Sequence, residues 1–313
     1  MPFIKKSRTF KPIGVLTFGA GERAVTFGGG TTMPLCFFDA KPSYAPVVGA
    51  EITDVDSENA ELPRLNAAYA GANTLAERAV RAASLKGVDF VFLRFEGADP
   101  GGLNRSVEEC VKLAQDVVAA CPKALCIAGS RNVEKDTELF KALAQALQGQ
   151  NILSFSAREE NYKTLGAAAV LAYGHQLAAE SSVDINLAKQ LNVLLTQLGV
   201  PKNSIAMNLG GSAAGYGFEY VSSTMDRVKL AALEQDDNML QMPVITAVSS
   251  EAWSVKEALA SEADMPEWGK LEERAIQMES VTAAACLASG SDAVILRHPV
   301  SIEKTAALIA ALV

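Results

Sequence analysis

Asn208-Leu-Gly-Gly-Ser-Ala-Ala-Gly-Tyr-Gly-Phe-Glu-Tyr220 is the stretch whose reading decides the fold. The apolar run at residues 205–209 predicts a buried strand. The loop after it carries Gly210, Gly211, Gly215 and Gly217. Phe218, Val221, Met225, Val228 and Ala232 then recur at steps of three and four, so they fall on one face of a helix. Strand, glycine loop and helix make the half-unit of an α/β protein, and in such folds ligands bind at loops leaving the carboxyl ends of strands. Glycines here could serve only a tight turn. Four of them with Ser212, Ala213 and Ala214 exceed what one turn needs. They predict a contact surface where a flat group approaches the backbone closely.

Working outward, the same unit repeats. Apolar runs at 46–52, 88–95, 124–128, 152–155, 177–181, 243–248 and 293–296 predict the other strands. Helical patterns separate them. An Ala-rich helix over 75–86 is expected to end at Gly87. Ser106 and Glu109 form a capping box before the next helix, and Asp184 caps another. Helices are also expected over 161–173 and 302–312, and in a long pattern from Trp268 through Ala285 with Pro266 near its start. Eight continuously apolar strands alternating with eight helices imply a fully covered parallel sheet. The fold class is α/β, a closed (β/α)8 TIM barrel over residues 46–313. A doubly wound sheet is the alternative, but its glycine fingerprint belongs after the first strand, not the sixth. Residues 1–45 differ: short β-like runs at 13–18 and 24–27 predict an N-terminal β-hairpin and loop extension. Gly28-Gly-Gly30 lacks the Lys-Ser/Thr ending of a phosphate loop and reads as a turn or protein contact.

Composition bounds the function. The chain has 313 residues, 49% hydrophobic and 20% charged, enough for one barrel of about 250 residues with an extension. Its net charge of -8 argues against general nucleic-acid binding. No apolar run reaches the roughly 20 residues of a membrane helix. The first residues lack the apolar core of a signal peptide, so a cytoplasmic location is expected. The five cysteines form no Cys-x-x-Cys pair, and there are only two histidines, His175 and His298. A metal centre or a Ser-His-Asp triad has little to draw on.

The predicted strand ends carry Asp54, Glu96, Ser130, Arg131, Ser156, Arg158, Glu180, Ser181, Asn208, Ser249, Glu251, Trp253, Arg297 and His298. None is a lysine, which disfavours Schiff-base chemistry. Glu51 and Glu96 are either an acid–base pair or salt-bridged to Arg94 or Arg131. His298, ahead of Pro299, has either a ligand or proton-transfer role or a structural one. Tyr216, Tyr220 and Trp253 either line an apolar pocket or pack. This polar, small-residue rim without an obvious nucleophile suits a binding surface better than a self-sufficient active site.

Three segments carry a family resemblance. Gly28-Gly-Gly-Thr-Thr-Met-Pro-Leu-Cys-Phe-Phe38, Pro46-Val-Val-Gly-Ala-Glu-Ile-Thr-Asp54 and the stretch from Asn208 to Tyr220 resemble the small subunit of the corrinoid iron–sulfur protein. This is the delta-subunit family of acetyl-CoA decarbonylase/synthase. The resemblance covers nearly the whole chain. It implies a barrel that forms a heterodimer with a large subunit, which carries a [4Fe-4S] cluster and a corrinoid (cobalamin). In anaerobes, the corrinoid takes a methyl group from methyltetrahydrofolate through a methyltransferase and delivers it to acetyl-CoA synthase/CO dehydrogenase. This is the methyl branch of the reductive acetyl-CoA (Wood–Ljungdahl) pathway. The small-subunit barrel supports the assembly and caps the corrin.

Carried onto this sequence, the contact role falls on Asn208, Gly210, Gly211, Ser212, Ala213, Ala214, Gly215 and Tyr216. Strand-end position adds Ser130, Arg131, Ser156, Glu180 and His298. No residue is assigned a catalytic or metal-ligating role. The cysteine pattern cannot hold the cluster, and there is no Asp-x-His-x-x-Gly corrinoid motif, so the partner is expected to hold both groups. The family is also similar in fold to pterin-binding methyltransferases, which use Asp and Asn at strand ends. Here the third and fourth strands end in Gly129-Ser130 and Ser156, which departs from that pattern. The alternative functions are a pterin-dependent corrinoid methyltransferase on the same barrel, or a barrel lyase with Glu96 or Glu180 as base.

Overall fold

The computed structural model describes residues 8–36, 39–55 and 59–313. Phe37 and Phe38 of the amino-terminal motif lie outside the described residues. Two short strands come first: β1 (Val15–Phe18) and β2 (Val25–Gly28) pair antiparallel around a single 3-10 turn. Eight parallel strands follow: β3 (Val47–Thr53), β4 (Phe90–Arg94), β5 (Ala124–Ala128), β6 (Leu153–Ala157), β7 (Gln176–Glu180), β8 (Ile205–Asn208), β9 (Ile245–Thr246) and β10 (Ala293–Leu296). They run in the order β8-β7-β6-β5-β4-β3-β10-β9, and a parallel bridge between Met207 and Val244 joins the two end strands. The sheet therefore closes on itself as a (β/α)8 barrel.

The pleat explains how this barrel is filled. Successive side chains alternate between its inside and outside. The inward row carries Phe90 and Phe92 on β4, Cys126 on β5, Leu153 and Phe155 on β6, and Ala293 and Ile295 on β10, packed as one apolar cluster. The outward residues, such as Val91, Leu93, Ile127 and Leu177, join a second cluster with the helices. Gly49 makes room inside, because a Cβ there would sit 2.4 Å from the Phe90 ring. Leu16, Phe18 and Phe27 of the hairpin are fully buried and belong to the inner cluster. Phe18 meets Phe90 edge-on at 5.3 Å. The hairpin thus plugs the amino-terminal end of the barrel. A lone two-stranded hairpin is marginal in water, and three buried side chains at about 1.5–3 kcal/mol each anchor this one.

The helices are α1 (Pro63–Ala68), α2 (Leu75–Ser84), α3 (Val107–Ala120), α4 (Val133–Ala146), α5 (Tyr162–Leu165), α6 (Ile185–Gln197), α7 (Phe218–Leu233), α8 (Val248–Ala252), α9 (Lys256–Leu259), α10 (Leu271–Ser289) and α11 (Pro299–Leu312). The Ser106–Glu109 capping box and the Asp184 cap are present. A second capping box, Thr74 with Glu77, opens α2. Three expected bounds change. Helix α2 stops at Ser84, and Gly87 turns the chain three residues later at φ +89°, where a Cβ would also lie 2.4 Å from that of Ala306. The long helix starts at Leu271, because Pro266–Trp268 form a 3-10 turn and Gly269 follows at φ +74°. Only Tyr162–Leu165 of the helix expected after β6 is α-helical; it continues as a π-helical segment, Gly166–Ala172.

Candidate functional site

The inward rows that are apolar at the bottom end in polar side chains at the top. One step of two beyond Phe92 is Arg94, and beyond Ile295 is Arg297; Glu51, Glu180 and Asn208 take the same position on β3, β7 and β8. The carboxyl-end mouth is therefore lined with charges that the pleat itself places there.

Most of these charges are paired. The Glu51 carboxylate accepts from Arg94 Nε at 3.2 Å, from Arg297 Nη2 at 3.0 Å and from the Ser249 hydroxyl. Arg94 also donates to the Ser250 hydroxyl oxygen. Burial pushes the Glu51 carboxyl up, but the two guanidinium groups and Ser249 outweigh it and bring it down to about 2. Glu96 lies 3.8 Å from Arg297. Of the two readings for Glu51 and Glu96, the structure supports arginine pairing, with Arg297 taking the place expected of Arg131. Glu180 accepts from Arg158 Nη2 at 2.8 Å and from the Ser156 hydroxyl.

Asp136 organises the loop after β5. It accepts from the Ser130 N–H at 2.8 Å, the Ser130 hydroxyl at 3.0 Å and the Arg131 N–H at 2.9 Å. Burial raises its carboxyl, and these donors oppose the rise. Arg131 is held at φ +76°, a left-handed conformation uncommon outside glycine. Gly129 is required beneath it, since a Cβ would fall 2.2 Å from Asp136 Oδ1.

The loop after β8 forms the rim. Asn208 Oδ1 accepts from the Gly210 N–H at 3.2 Å, and Gly210 turns the chain at φ +81°. Gly211 lies against Glu251: a Cβ there would be 2.8 Å from Glu251 Cγ. The Ala214 N–H donates to Thr282 Oγ1 at 3.0 Å, and the Ser212 hydroxyl to the Tyr216 carbonyl. The Tyr216 hydroxyl donates to Glu257, while Gly215 faces open space. Tyr216 and Tyr220 are exposed, whereas Trp253 is packed inside with its Nε1–H donating to Glu279 at 3.0 Å.

A cleft of about 210 Å³ opens between these loops, lined by Ser156, Glu180, Asn208, Gly210, Gly211, Arg131 and Glu251 among others. A recess of about 280 Å³ adjoins it, bounded by Glu51, Glu96, Ser130 and Arg297; Arg94, Arg131 and Ser250 line both. The structure thus gathers Ser130, Arg131, Ser156, Glu180, Asn208, Gly210 and Gly211 around one mouth. Ser212, Ala214, Gly215 and Tyr216 continue along the rim outside the cleft. Asp136, Asn161 and Ser250 also line it, and sequence reading missed them. Asp136 and Asn161 sit beyond the strand ends, where no periodicity marks them.

Two expected contact residues are withdrawn from the rim. Ala213 is 2% exposed and packs in the outer core. His298 is wholly buried and caps α11: its Nδ1 accepts from the Val300 N–H at 3.2 Å. That fixes the neutral tautomer with Nε2–H toward Glu272 Oε1 at 3.3 Å, and burial lowers its pKa. Trp253 stacks on the same ring at 6.3 Å. Neither side chain is available to a ligand at the mouth.

Among the described residues no group of three His, Cys, Asp or Glu could hold a metal ion, and no helix is long and apolar enough to cross a membrane. Cys110, Cys121, Cys126 and Cys286 are buried, and burial pushes the thiols of Cys110 and Cys286 to about 11 and about 12.

The family described as CO dehydrogenase/acetyl-CoA synthase delta subunit matches residues 15–303. The acetyl-CoA decarbonylase/synthase complex subunit delta of Archaeoglobus fulgidus is 30% identical over 288 residues, 91% of this chain. The chain spans 63% of the length of that relative. Subunit delta 2 of Methanosarcina acetivorans is 28% identical over 299 residues, covering 93% of this chain and 67% of the relative. Among solved structures, a dihydropteroate synthase of Xanthomonas albilineans with 4-aminobenzoic acid aligns with a TM-score of 0.57 at 12% identity, over 95% of this chain and 96% of the other. The Yersinia pestis dihydropteroate synthase gives 0.55 at 10% identity, over 95% and 98%. At such identities the likeness is one of fold.

Proposed function

The chain belongs to the acetyl-CoA decarbonylase/synthase delta-subunit family, and from that premise we propose that it is the small subunit of a heterodimeric corrinoid iron–sulfur protein, its barrel mouth capping a corrinoid held by a large subunit. A shallow mouth with a backbone rim carries this reading. The cleft and the recess beside it measure about 210 and about 280 Å³, so even together they lie in the lower half of the range of about 300–1,000 Å³ found for pockets that enclose a drug-sized ligand. A group as broad as a corrin would be covered by the mouth, not enclosed in it. The far side of the ligand must then be held by another chain.

The residues fit such a ligand. Gly210 and Gly211 line the cleft without side chains of their own, and Gly215 has open space around it, which suits the close approach of an apolar ring. Asn208, Ser130 and Ser156 offer hydrogen-bonding groups for its amide arms. Ion pairing of Glu51, Arg94 and Arg297 keeps the interior beneath the ligand rigid. When bound, a corrinoid supplies a cobalt centre that accepts and releases a methyl group. The barrel's own part is to cover that face, orient the ring and exclude water. It is non-catalytic, or catalytic only jointly with its partner. The [4Fe-4S] cluster is assigned to the large subunit: the four buried cysteines here lie within the packed interior as protonated thiols. The methyl donor side would be a methyltetrahydrofolate:corrinoid methyltransferase and the acceptor side acetyl-CoA synthase/CO dehydrogenase. A cytoplasmic site of action in an anaerobe follows from that pathway.

The test is co-expression with the large subunit. The chain alone is expected to purify colourless, and the pair to purify brown and corrinoid-loaded. Tight cobalamin binding by the isolated chain would refute the capping role. The fold likeness to dihydropteroate synthases favours a second reading, a pterin-dependent corrinoid methyltransferase. Calorimetric titration with methyltetrahydrofolate separates the two: saturable binding by this chain alone selects the enzyme.

A further inference from the structure

The mouth holds four arginines, and they are not equivalent. Arg94, Arg158 and Arg297 each donate to a carboxylate at 2.8–3.2 Å. The Arg131 guanidinium approaches Glu251 Oε1 only to 3.8 Å, beyond hydrogen-bond distance. Among the described residues neither of these two end groups makes a shorter polar contact. Arg131 follows β5 and Glu251 stands on α8, which follows β9. In the strand order three strands separate β5 from β9 on either side, so the two side chains reach toward each other across the diameter of the mouth. Both line the cleft, and both are accessible, at 57% and 32%.

The backbone around them also shapes where they stand. Asp136 pins the peptide of Arg131 in its left-handed conformation. Gly211 leaves room for the Glu251 side chain, since a Cβ there would lie 2.8 Å from its Cγ. Backbone strain held by a buried carboxylate, in a residue displayed at the centre of a cleft, is the pattern of a preorganised contact.

A cation and an anion side by side, neither saturated, complement one neutral group in particular. A carboxamide presents a carbonyl oxygen as acceptor and an N–H as donor, a short distance apart. We propose that Arg131 and Glu251 form a carboxamide-recognition subsite: the guanidinium donates to the amide oxygen and the Glu251 carboxylate accepts from the amide N–H. Two ligands carry this chemistry. A corrin bears primary amide arms, and a pterin bears a ring lactam. The inference rests on the reading of the mouth as a ligand-covering surface and names the group it grips. It also predicts discrimination, because a carboxylate in place of the amide would be repelled by Glu251.

The experiment uses the chain in complex with its large subunit, freed of corrinoid. Aquacobalamin and its monocarboxylic acids, each with one propionamide hydrolysed, are titrated by absorbance. Methyltetrahydrofolate is titrated by calorimetry into the chain alone as the second arm. Wild type is compared with Arg131→Gln and Glu251→Gln, with thermal unfolding as the check on folding. If the corrin arm is the ligand, wild type should bind aquacobalamin about tenfold more tightly than one of the acids, the equivalent of one charge-assisted hydrogen bond. Glu251→Gln should erase or reverse that preference, since Arg131 then faces the carboxylate unopposed. Arg131→Gln should weaken the amide form by a similar factor. If the pterin is the ligand, the same losses appear with methyltetrahydrofolate and not with the corrinoids. Wild type that binds without discriminating amide from acid, and folded variants that bind a probe as wild type does, overturn the subsite while leaving the capping role intact. Wild type that binds none of the probes overturns both.

Discussion

Glu51 is the residue on which the interior of the mouth depends. Its carboxylate is inaccessible and shared by Arg94 and Arg297. Removing one partner of a buried ion pair leaves the other uncompensated and commonly costs several kcal/mol. Glu51→Gln should therefore destabilise the fold by about 3 kcal/mol near neutral pH. The folded-state carboxyl sits at about 2, below its ordinary value of 4.5. A group depressed in this way adds stability that is complete above its unfolded pKa and is lost as pH falls through the folded one. The gap in Tm between wild type and Glu51→Gln should be full near about pH 7, begin to close below about pH 5 and shrink further toward about pH 2. A gap that stays constant across that range would show that packing, not charge, explains the loss. The same residue marks how far local reading reaches. Glu51, Arg94 and Arg297 are legible as mouth residues because each continues an inward period-two row. Whether His298 faces the mouth or the helix layer is not, because the groups that enclose its ring, Trp253 and Glu272 of α10, are 26 residues or more away and reach it only through the fold. Ala213 fails for the same reason: a small residue in a glycine loop looks the same whether it faces solvent or core.

At the scale of elements, caps and strands are legible and helix ends less so. Ser106, Glu109 and Asp184 act through hydrogen bonds within three residues of themselves, so their pattern is local. Gly87 turns the chain at φ +89°, a local requirement, but the helix ends before it at Ser84, and its contact with Ala306, far along the chain, is not legible locally. The rim loop shows both cases. Gly210, Gly215 and Gly217 have positive φ and are required by the turn itself. Gly211 does not, and its constraint is the Glu251 side chain 2.8 Å from where its Cβ would be. The two kinds of glycine should therefore separate on substitution. Gly215→Val places a branched residue in a left-handed conformation and should lower stability by about 1–2 kcal/mol or more. Gly211→Val carries no such backbone penalty but requires the Glu251 side chain to shift from its place at the cleft. Its Tm should stay near that of wild type while corrinoid loading of the complex falls. Equal losses of Tm in both variants, with loading unchanged in Gly211→Val, would remove the rim loop from the contact surface.

At the scale of the whole molecule, barrel closure is a global property that no single stretch contains. It becomes legible only because eight apolar runs are spaced evenly enough to count, and its plug, the β1–β2 hairpin, is invisible as such until Phe18 is seen against Phe90. Closure has a functional consequence. With the amino-terminal end sealed by the hairpin, the carboxyl-end mouth is the open end of the barrel. A corrin seated there, as proposed, would have its upper face covered, and a covered face can neither receive a methyl group nor release one. On the proposed capping role the cap would therefore have to be intermittent, with the partner's corrin-bearing part leaving the mouth for each transfer while the barrel stays as its resting place. A disulfide or short bifunctional cross-link between a cysteine introduced at Ser212 and the facing surface of the large subunit should hold the cap shut. The cross-linked complex is expected to keep its corrinoid and its absorption spectrum, yet to transfer methyl groups more slowly from methyltetrahydrofolate and toward acetyl-CoA synthase alike, with both rates restored on cleaving the link. Unchanged turnover in the cross-linked complex would mean that the corrin reacts while seated, and the barrel mouth would then have to be part of the transfer site itself.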